Sequence, residues 1–428
     1  MFFYDISYIL MYVAASVVML FVLRGFFRGE VNGFYFLIPV FVIMYILPSV
    51  LDAVGQGVVG FYHSRYASEA LSDDVTAILY NFYVTAVLVM FYVGARSGGA
   101  NKHQLSAAQV VKFLDFIRRW RLFVWAFVLA PGVLVIMSGD IGFYNEYADR
   151  DRSSASFLQL LAAKVAVISM PLIALFVSEN LYRFKRRGSF FYLLVVVFLM
   201  VFASLNCYIH GKRSVVAIFV FCLLLSFFVT KVISRKALAS VIIISILFFG
   251  FFLFSYGKNI ETGSGFVQAV QGLRIDFSRD YGLKFTMYHE LLNENHVLPY
   301  RGASYFFLVT SFIPRSVWID KPYPYAVYFT NSFFGNFGGD YLYGWGLTTS
   351  FVAEAVSNLG WLGLVFFPIF YIFCLKRIDK QKNMSARILG YMIMVLLLAI
   401  QPVAAFPLIL AFLMMVLFKK KIVFKGGR

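Results

Sequence analysis

The feature that most constrains this chain is the recurrence of uninterrupted apolar runs, each of about 18 residues or more, between Ile6 and Phe418. A bilayer offers no hydrogen bonds to a backbone, so such runs are helices that satisfy their own N–H and C=O groups. A transmembrane barrel would alternate apolar and polar residues in strands of about ten, and the runs here are continuous. Composition points the same way: the 428 residues are 61% hydrophobic and only 14% charged. That is more apolar surface than a soluble domain needs. The expected fold class is therefore an all-α polytopic membrane protein with about eleven transmembrane helices.

A net charge of +17 raises the possibility of a nucleic-acid partner, but its distribution argues against one. With the loop after the first span placed inside, about 25 of the 38 Lys/Arg fall in cytoplasmic loops and termini. Only about 4 of the 21 Asp/Glu do so. The positive charge is thus mostly topological, and it places the N-terminus outside and the C-terminus inside. The start, Met1 to Asp5, lacks a basic region and leads into a long apolar run, which reads as a retained helix rather than a cleaved signal. The three cysteines, Cys207, Cys222 and Cys374, lie in or near spans and give no disulfide framework.

Three blocks follow. Residues 1–255 form an N-terminal bundle of about eight spans, residues 256–346 a long outer loop that is partly helical, and residues 347–428 about three more spans. Within the first block, Ser106 and Gln109 form a capping-box pair. Val110, Phe113, Leu114, Ile117 and Trp120 then recur at helical spacing, which predicts an interfacial helix near 106–121 lying on the inner leaflet. In the last block Asn358-Leu359-Gly360 interrupts a run too long for one span, so a short helix carrying Glu354 should precede the next span.

The long outer loop and its neighbours hold the candidate chemistry. Cations clustered against the sign of the topology need a reason. Lys212 and Arg213 open a span, where helix amides help to bind anions. Arg274 and Arg279 would lie about 140° apart on a helix, able to approach one phosphate from two directions or to pair with Asp276, Asp280 and Glu290. Lys164 sits about 10 Å deep in its span and either snorkels outward or faces a polar cavity. Arg315 and Lys321 add further positive charge. Glu354 reads as a general base or as a cap or ion-pair residue. Trp318, Tyr323, Tyr325 and Tyr343 suit either a platform for sugar rings or an interfacial belt, and Gly335, Gly338, Gly339, Gly344 and Gly346 suggest mobility there. Asp149-Arg150-Asp151 has the spacing of a metal–nucleotide motif, but three residues on the outer face are a poor basis for a metal, and none is expected.

Several of these pieces, in order, resemble the bacterial Wzy-type oligosaccharide repeat-unit polymerases of O-antigen and capsule. They are Gly211-Lys212-Arg213-Ser214 opening a span, Arg274 to Asp280, the run Ile313-Pro314-Arg315-Ser316-Val317-Trp318-Ile319-Asp320-Lys321-Pro322, and Ser350 to Gly360 with Glu354. The resemblance implies a GT-C-like, metal-independent glycosyltransferase of the bacterial inner membrane without a cofactor. It would act on the outer face on undecaprenyl-pyrophosphate-linked oligosaccharides, with a chain-length regulator and a flippase as pathway partners. Glu354, Arg279 and Arg274 would then be catalytic. Lys212, Arg213, Arg315, Lys164 and Lys321 would hold pyrophosphate, and Trp318, Tyr323, Tyr325 and Tyr343 the glycan. The rival readings are an O-antigen ligase using the same donor, a lipid-linked oligosaccharide flippase, and a non-catalytic scaffold. Transporters place polar residues at the midplane between short loops, whereas a loop of about 90 residues dominates here.

Overall fold

The computed structural model describes residues 2–28, 30, 32–54, 64–97, 107–144, 156–211, 213–234, 236–243, 270, 273–275, 277–313, 315, 317–339, 346–381 and 383–417. Among them the chain is helical, with no strand. The N-terminal helices are α1 (Phe2–Arg28), α2 (Phe34–Tyr45), α3 (Leu47–Val54), α4 (Arg65–Ser72) and α5 (Asp74–Ser97). Next come α6 (Ala107–Arg119), α7 (Arg121–Ser138), α8 (Phe157–Arg187), α9 (Phe190–His210) and α10 (Arg213–Thr230). The last group is α11 (Arg279–Thr286), α12 (Ala303–Val309), α13 (Tyr325–Phe333), α14 (Phe351–Leu359), α15 (Trp361–Asp379), α16 (Met384–Ala399) and α17 (Pro402–Leu417). Among the described residues, seven stretches are long and apolar enough to cross a membrane, and shorter apolar helices occupy Val215–Thr230, Met384–Ala399 and Leu408–Leu417. The protein is therefore a multi-pass membrane protein. Most of the expected eighth span, from residue 244 onward, lies outside the described residues.

Packing divides the chain differently from the sequence blocks. One unit comprises Met1–Gln104 with Phe252–Arg428, and the other is Leu105–Phe251. In the second unit α8 is the centre, packed by α6, α7, α9 and α10. A capping box starts it: the Ser156 N–H donates to Gln159 Oε1 (2.7 Å) and the Gln159 N–H to Ser156 Oγ (3.3 Å). Asn206 ties α9 to its neighbours, donating to the Val128 carbonyl (3.2 Å) and to Ser169 Oγ (2.9 Å). The apolar stripe of α6 faces protein over most of its length. Val110, Phe113, Leu114 and Ile117 are buried by protein, because α6 packs along α8. Ser106 lies outside the described residues.

In the first unit, Pro48 explains why α2 and α3 are separate. Its ring removes a backbone donor and crowds the preceding turn. The Tyr45 carbonyl accepts instead from the Tyr80 hydroxyl (2.5 Å), and the Ser49 N–H shifts to the Ile46 carbonyl (3.1 Å). Neighbouring helices thus satisfy what proline releases. Turns assigned to the inner side share one end of this unit: Asp379 accepts from the Gly33 N–H (3.1 Å) and the Tyr391 hydroxyl (2.5 Å), and Lys376 reaches Ser97 Oγ (3.0 Å).

The described part of the expected outer loop is a packed domain rather than a string of turns. Tyr281 and Phe285 of α11, Val297, Leu298, Ala303 of α12, and Tyr325, Tyr328, Phe329 and Phe333 of α13 form one core with Ala67 and Ala70 of α4 and Ala353 of α14. Every residue of α13 is buried. Phe285 and Phe329 meet edge to face at 5.2 Å, and truncating either to alanine should cost about 3–5 kcal/mol. At Gly335 the requirement is one of fit. Gly335 adopts φ 92°, and a Cβ on it would stand 2.3 Å from the Tyr66 ring.

The expected break after Glu354 is present. Helix α14 ends at Gly360, whose φ of 59° and ψ of −136° suit only glycine, and α15 begins at once. A Cβ at Gly360 would also stand 2.2 Å from Arg301 Nη1.

Candidate functional site around Glu354

Helix α14 is buried from Phe351 to Asn358, so its one acid has no route to solvent. Glu354 is 0% exposed. Its Oε1 accepts from the Ser304 hydroxyl (2.7 Å), carried in by the first turn of α12. Asn358, one turn further along α14, donates from Nδ2 to Ser304 Oγ (2.8 Å) and to the Glu354 carbonyl (2.7 Å). Oε2 of Glu354 and Oδ1 of Asn358 have no partner among the described residues, nor have the buried hydroxyls of Tyr305 and Thr349. Burial pushes the Glu354 carboxyl up to about 7, against a smaller lowering by the Ser304 hydroxyl. No cation pairs with it among the described residues, and its side chain caps no helix end. The geometry is that of a carboxyl held by one oxygen, with the other vacant, near the pH at which it can take a proton.

The neighbouring α11 and the segment before it carry the cations, and they fall into two kinds. Arg274 is 3% exposed and fully engaged: Nε donates to Asp52 (2.7 Å), and Nη1 and Nη2 donate to the two oxygens of Asp280 (2.8 and 2.9 Å). The coulombic pull and hydrogen bonds of those carboxylates hold it charged despite burial. Lys284, one turn along, stands 3.6 Å from Asp280 and 4.9 Å over the Tyr80 ring. Two cations and two carboxylates thus balance in a buried cluster. Among the described residues Arg274 pairs with Asp52 and Asp280. Arg279 differs. It is half-buried, and among the described residues one bond holds it, from Nε to the Ala399 carbonyl (2.6 Å). The two arginines do not share a continuous helix, since the chain leaves helical geometry at Ser278 (ψ 55°).

The run from Ile313 to Pro322 closes on itself. Lys321, 5% exposed, donates to the carbonyls of Ser311 (3.2 Å) and Ile313 (2.8 Å). Arg315 donates to the Pro322 carbonyl (2.8 Å) and stacks 3.5 Å over the Tyr323 ring. Both cations are engaged within this loop. Trp318 packs edge-on against Phe306 at 5.6 Å and keeps part of its surface accessible. Tyr325 is 0% exposed and hydrogen-bonds Ser357 (3.0 Å) and Thr286 (3.2 Å), so no sugar can stack on it as placed. It is a core residue behind the site.

In the other unit, Lys164 is exposed on α8 and Arg213 begins α10, two residues after Gly211. Lys212, Tyr343, Asp276 and Asp149-Arg150-Asp151 lie outside the described residues, as does the side chain of Arg213. His289 is buried between Phe285 and Phe337, and burial lowers its pKa, which keeps it neutral at neutral pH.

Sequence reasoning missed Ser304, Asn358 and Asp52 as partners of these groups. It also missed Tyr4, Tyr8 and Tyr12, whose tilted rings follow one another along α1 at separations of 5.0 and 6.1 Å. Their spacing of four was a legible signal for one helix face. Nothing in the sequence marks Ser304.

No curated protein and no solved structure gives a significant match to the chain. One family model does, and its match extends over residues 1–418, nearly the whole chain. With that match, its bundle of apolar helices and its packed polar segment, the chain belongs to the O-antigen polysaccharide polymerase family, Wzy, whose members act on lipid-linked oligosaccharide repeat units.

Proposed function

We propose that the chain extends an undecaprenyl-pyrophosphate-linked glycan at the outer face of the bacterial inner membrane, with Glu354 as general base. A hydroxyl of the acceptor, one lipid-linked repeat unit, gives its proton to Glu354 Oε2. The hydroxyl oxygen bonds to the anomeric carbon of the growing chain. The bond from that carbon to the pyrophosphate breaks, and lipid pyrophosphate leaves with the electron pair. Arg279 meets the charge developing on the leaving group, so that no metal is required. Arg274 acts on this step indirectly, by fixing α11. Trp318 offers its accessible aromatic surface to sugar, while Arg315 covers one face of Tyr323. The chain-length regulator and the flippase of the same pathway are the expected partners.

The observation that carries the reading is the state of Glu354: wholly buried, with no paired cation and no partner for Oε2 among the described residues, and its carboxyl near 7. Access requires the surrounding segments to part when substrate arrives. The test is glycan banding in cells lacking the native polymerase. Glu354→Gln and Arg279→Ala, each at wild-type abundance, should give single repeat units and no ladder. A normal ladder from Glu354→Gln would remove the proposed base. An O-antigen ligase would use the same donor with lipid A-core as acceptor, and membership of the polymerase family favours the repeat unit instead.

A further inference from the structure

We propose that Ser304 and Asn358 are positioning residues for Glu354, locking Oε1 so that Oε2 faces the acceptor hydroxyl. The inference rests on the reading of Glu354 as base. Three observations carry it. The Ser304 hydroxyl sits between two groups and has one role open to each: it donates its proton to Glu354 Oε1 and accepts from Asn358 Nδ2. Asn358 is itself pinned, because Nδ2 also donates to the Glu354 carbonyl, which fixes the amide and hence the direction of the serine proton. Both residues are buried, Ser304 at 0% and Asn358 at 2%, so water does not compete for these bonds. A carboxyl anchored by one oxygen cannot rotate to exchange the two, and the vacant Oε2 keeps a set direction.

Among the described residues this relay is the carboxyl's only direct polar support. Tyr305 of α12 and Tyr325 of α13 are the titratable side chains whose charges couple to it. Helix α11 brings Asp280 and Lys284, which pair with each other, and Arg279, bound at Ala399. The turn after α11 brings His289, directed at the Tyr66 carbonyl, and Glu290, paired with His296. Helices α15 and α16 carry Lys376, Arg377, Asp379 and Arg387 toward the opposite end of the unit.

A hydroxyl donor to a carboxylate stabilises the charged form, so losing it raises the pH at which the base becomes active. The experiment measures initial rates of chain extension against pH for purified full-length protein in liposomes with a lipid-linked repeat unit. Ser304→Ala and Asn358→Ala should move the acid limb of kcat upward by about one pH unit, with KM little changed. Ser304→Thr, which keeps the hydroxyl, should return the limb to its wild-type position. If Ser304→Ala does not accumulate, Ser304→Cys, a weaker donor of similar size, should show the same shift. Wild-type limbs in the alanine variants, or a limb in Ser304→Thr displaced as far as in Ser304→Ala, would overturn the proposal. Glu354→Gln separates the two claims. If it still turns over, the base assignment fails; if it is inactive while the limbs stay put, only the positioning role fails.

Discussion

Replacing Glu354 with glutamine should raise stability at alkaline pH while abolishing polymerisation. The folded protein holds this carboxyl at about 7 against an ordinary value of 4.5, because burial penalises the charge. A raised folded value means that the native state binds the proton more tightly than the unfolded chain. The stabilising contribution is therefore complete below about 4.5 and is lost as pH rises through about 7. The gap between about 7 and 4.5, at about 1.4 kcal/mol per pH unit, makes the loss about 3 kcal/mol at pH 8. Glutamine has no charge to bury and keeps an acceptor for the Ser304 hydroxyl. Its amide nitrogen stands where Oε2 lacked a partner, much as a protonated carboxyl does, so the two side chains should be nearly equal in acid. Thermal unfolding of both proteins in one detergent at pH 5 and pH 8 reads this directly. The expected result is coincident midpoints at pH 5 and a higher midpoint for Glu354→Gln at pH 8. A gap independent of pH, or a less stable glutamine variant at pH 8, would refute the buried, unpaired carboxylate.

Three other perturbations separate the cations by role. Asp280→Asn leaves Arg274 and Lys284 facing Asp52 alone; it should cost about 3 kcal/mol or more and lower the unfolding midpoint, while adding Lys284→Met should recover about 1 kcal/mol. A double variant no more stable than the single would contradict the charge balance. Arg279→Ala should accumulate normally, since among the described residues it loses one bond to Ala399, yet lose polymerase activity about 100-fold. Arg315→Ala should open the loop between Ser311 and Tyr323 to proteolysis, with activity falling only in step with abundance. A selective rise in KM at full abundance would instead return Arg315 to the substrate.

The membrane class was legible because long apolar runs have one physical solution in lipid. So was the break at Gly360, where a helix too long for one span met a residue able to take its dihedrals. Glu354 stood out as a lone acid in apolar surroundings. What stayed hidden depends on partners distant in sequence. Ser304 lies 50 residues from Glu354, and Asp52 lies 222 from Arg274, so neither pairing leaves a local pattern. The aromatic stretch misled for a different reason. Composition shows that Tyr325, Phe329 and Phe333 are large and apolar, but not which face they turn, and a packed core used them. The stripe on α6 had the periodicity of a lipid-facing helix, and periodicity cannot distinguish lipid from the flank of α8.

The most direct test of the whole account is chain extension by the purified protein in liposomes. They would be supplied with one lipid-pyrophosphate-linked repeat unit and excess chelator, with products separated by length. The account predicts a ladder of lengthening glycans that persists in chelator and vanishes in Glu354→Gln. Folded wild-type protein that makes no ladder from its native repeat unit, or whose ladder survives in Glu354→Gln, would contradict it.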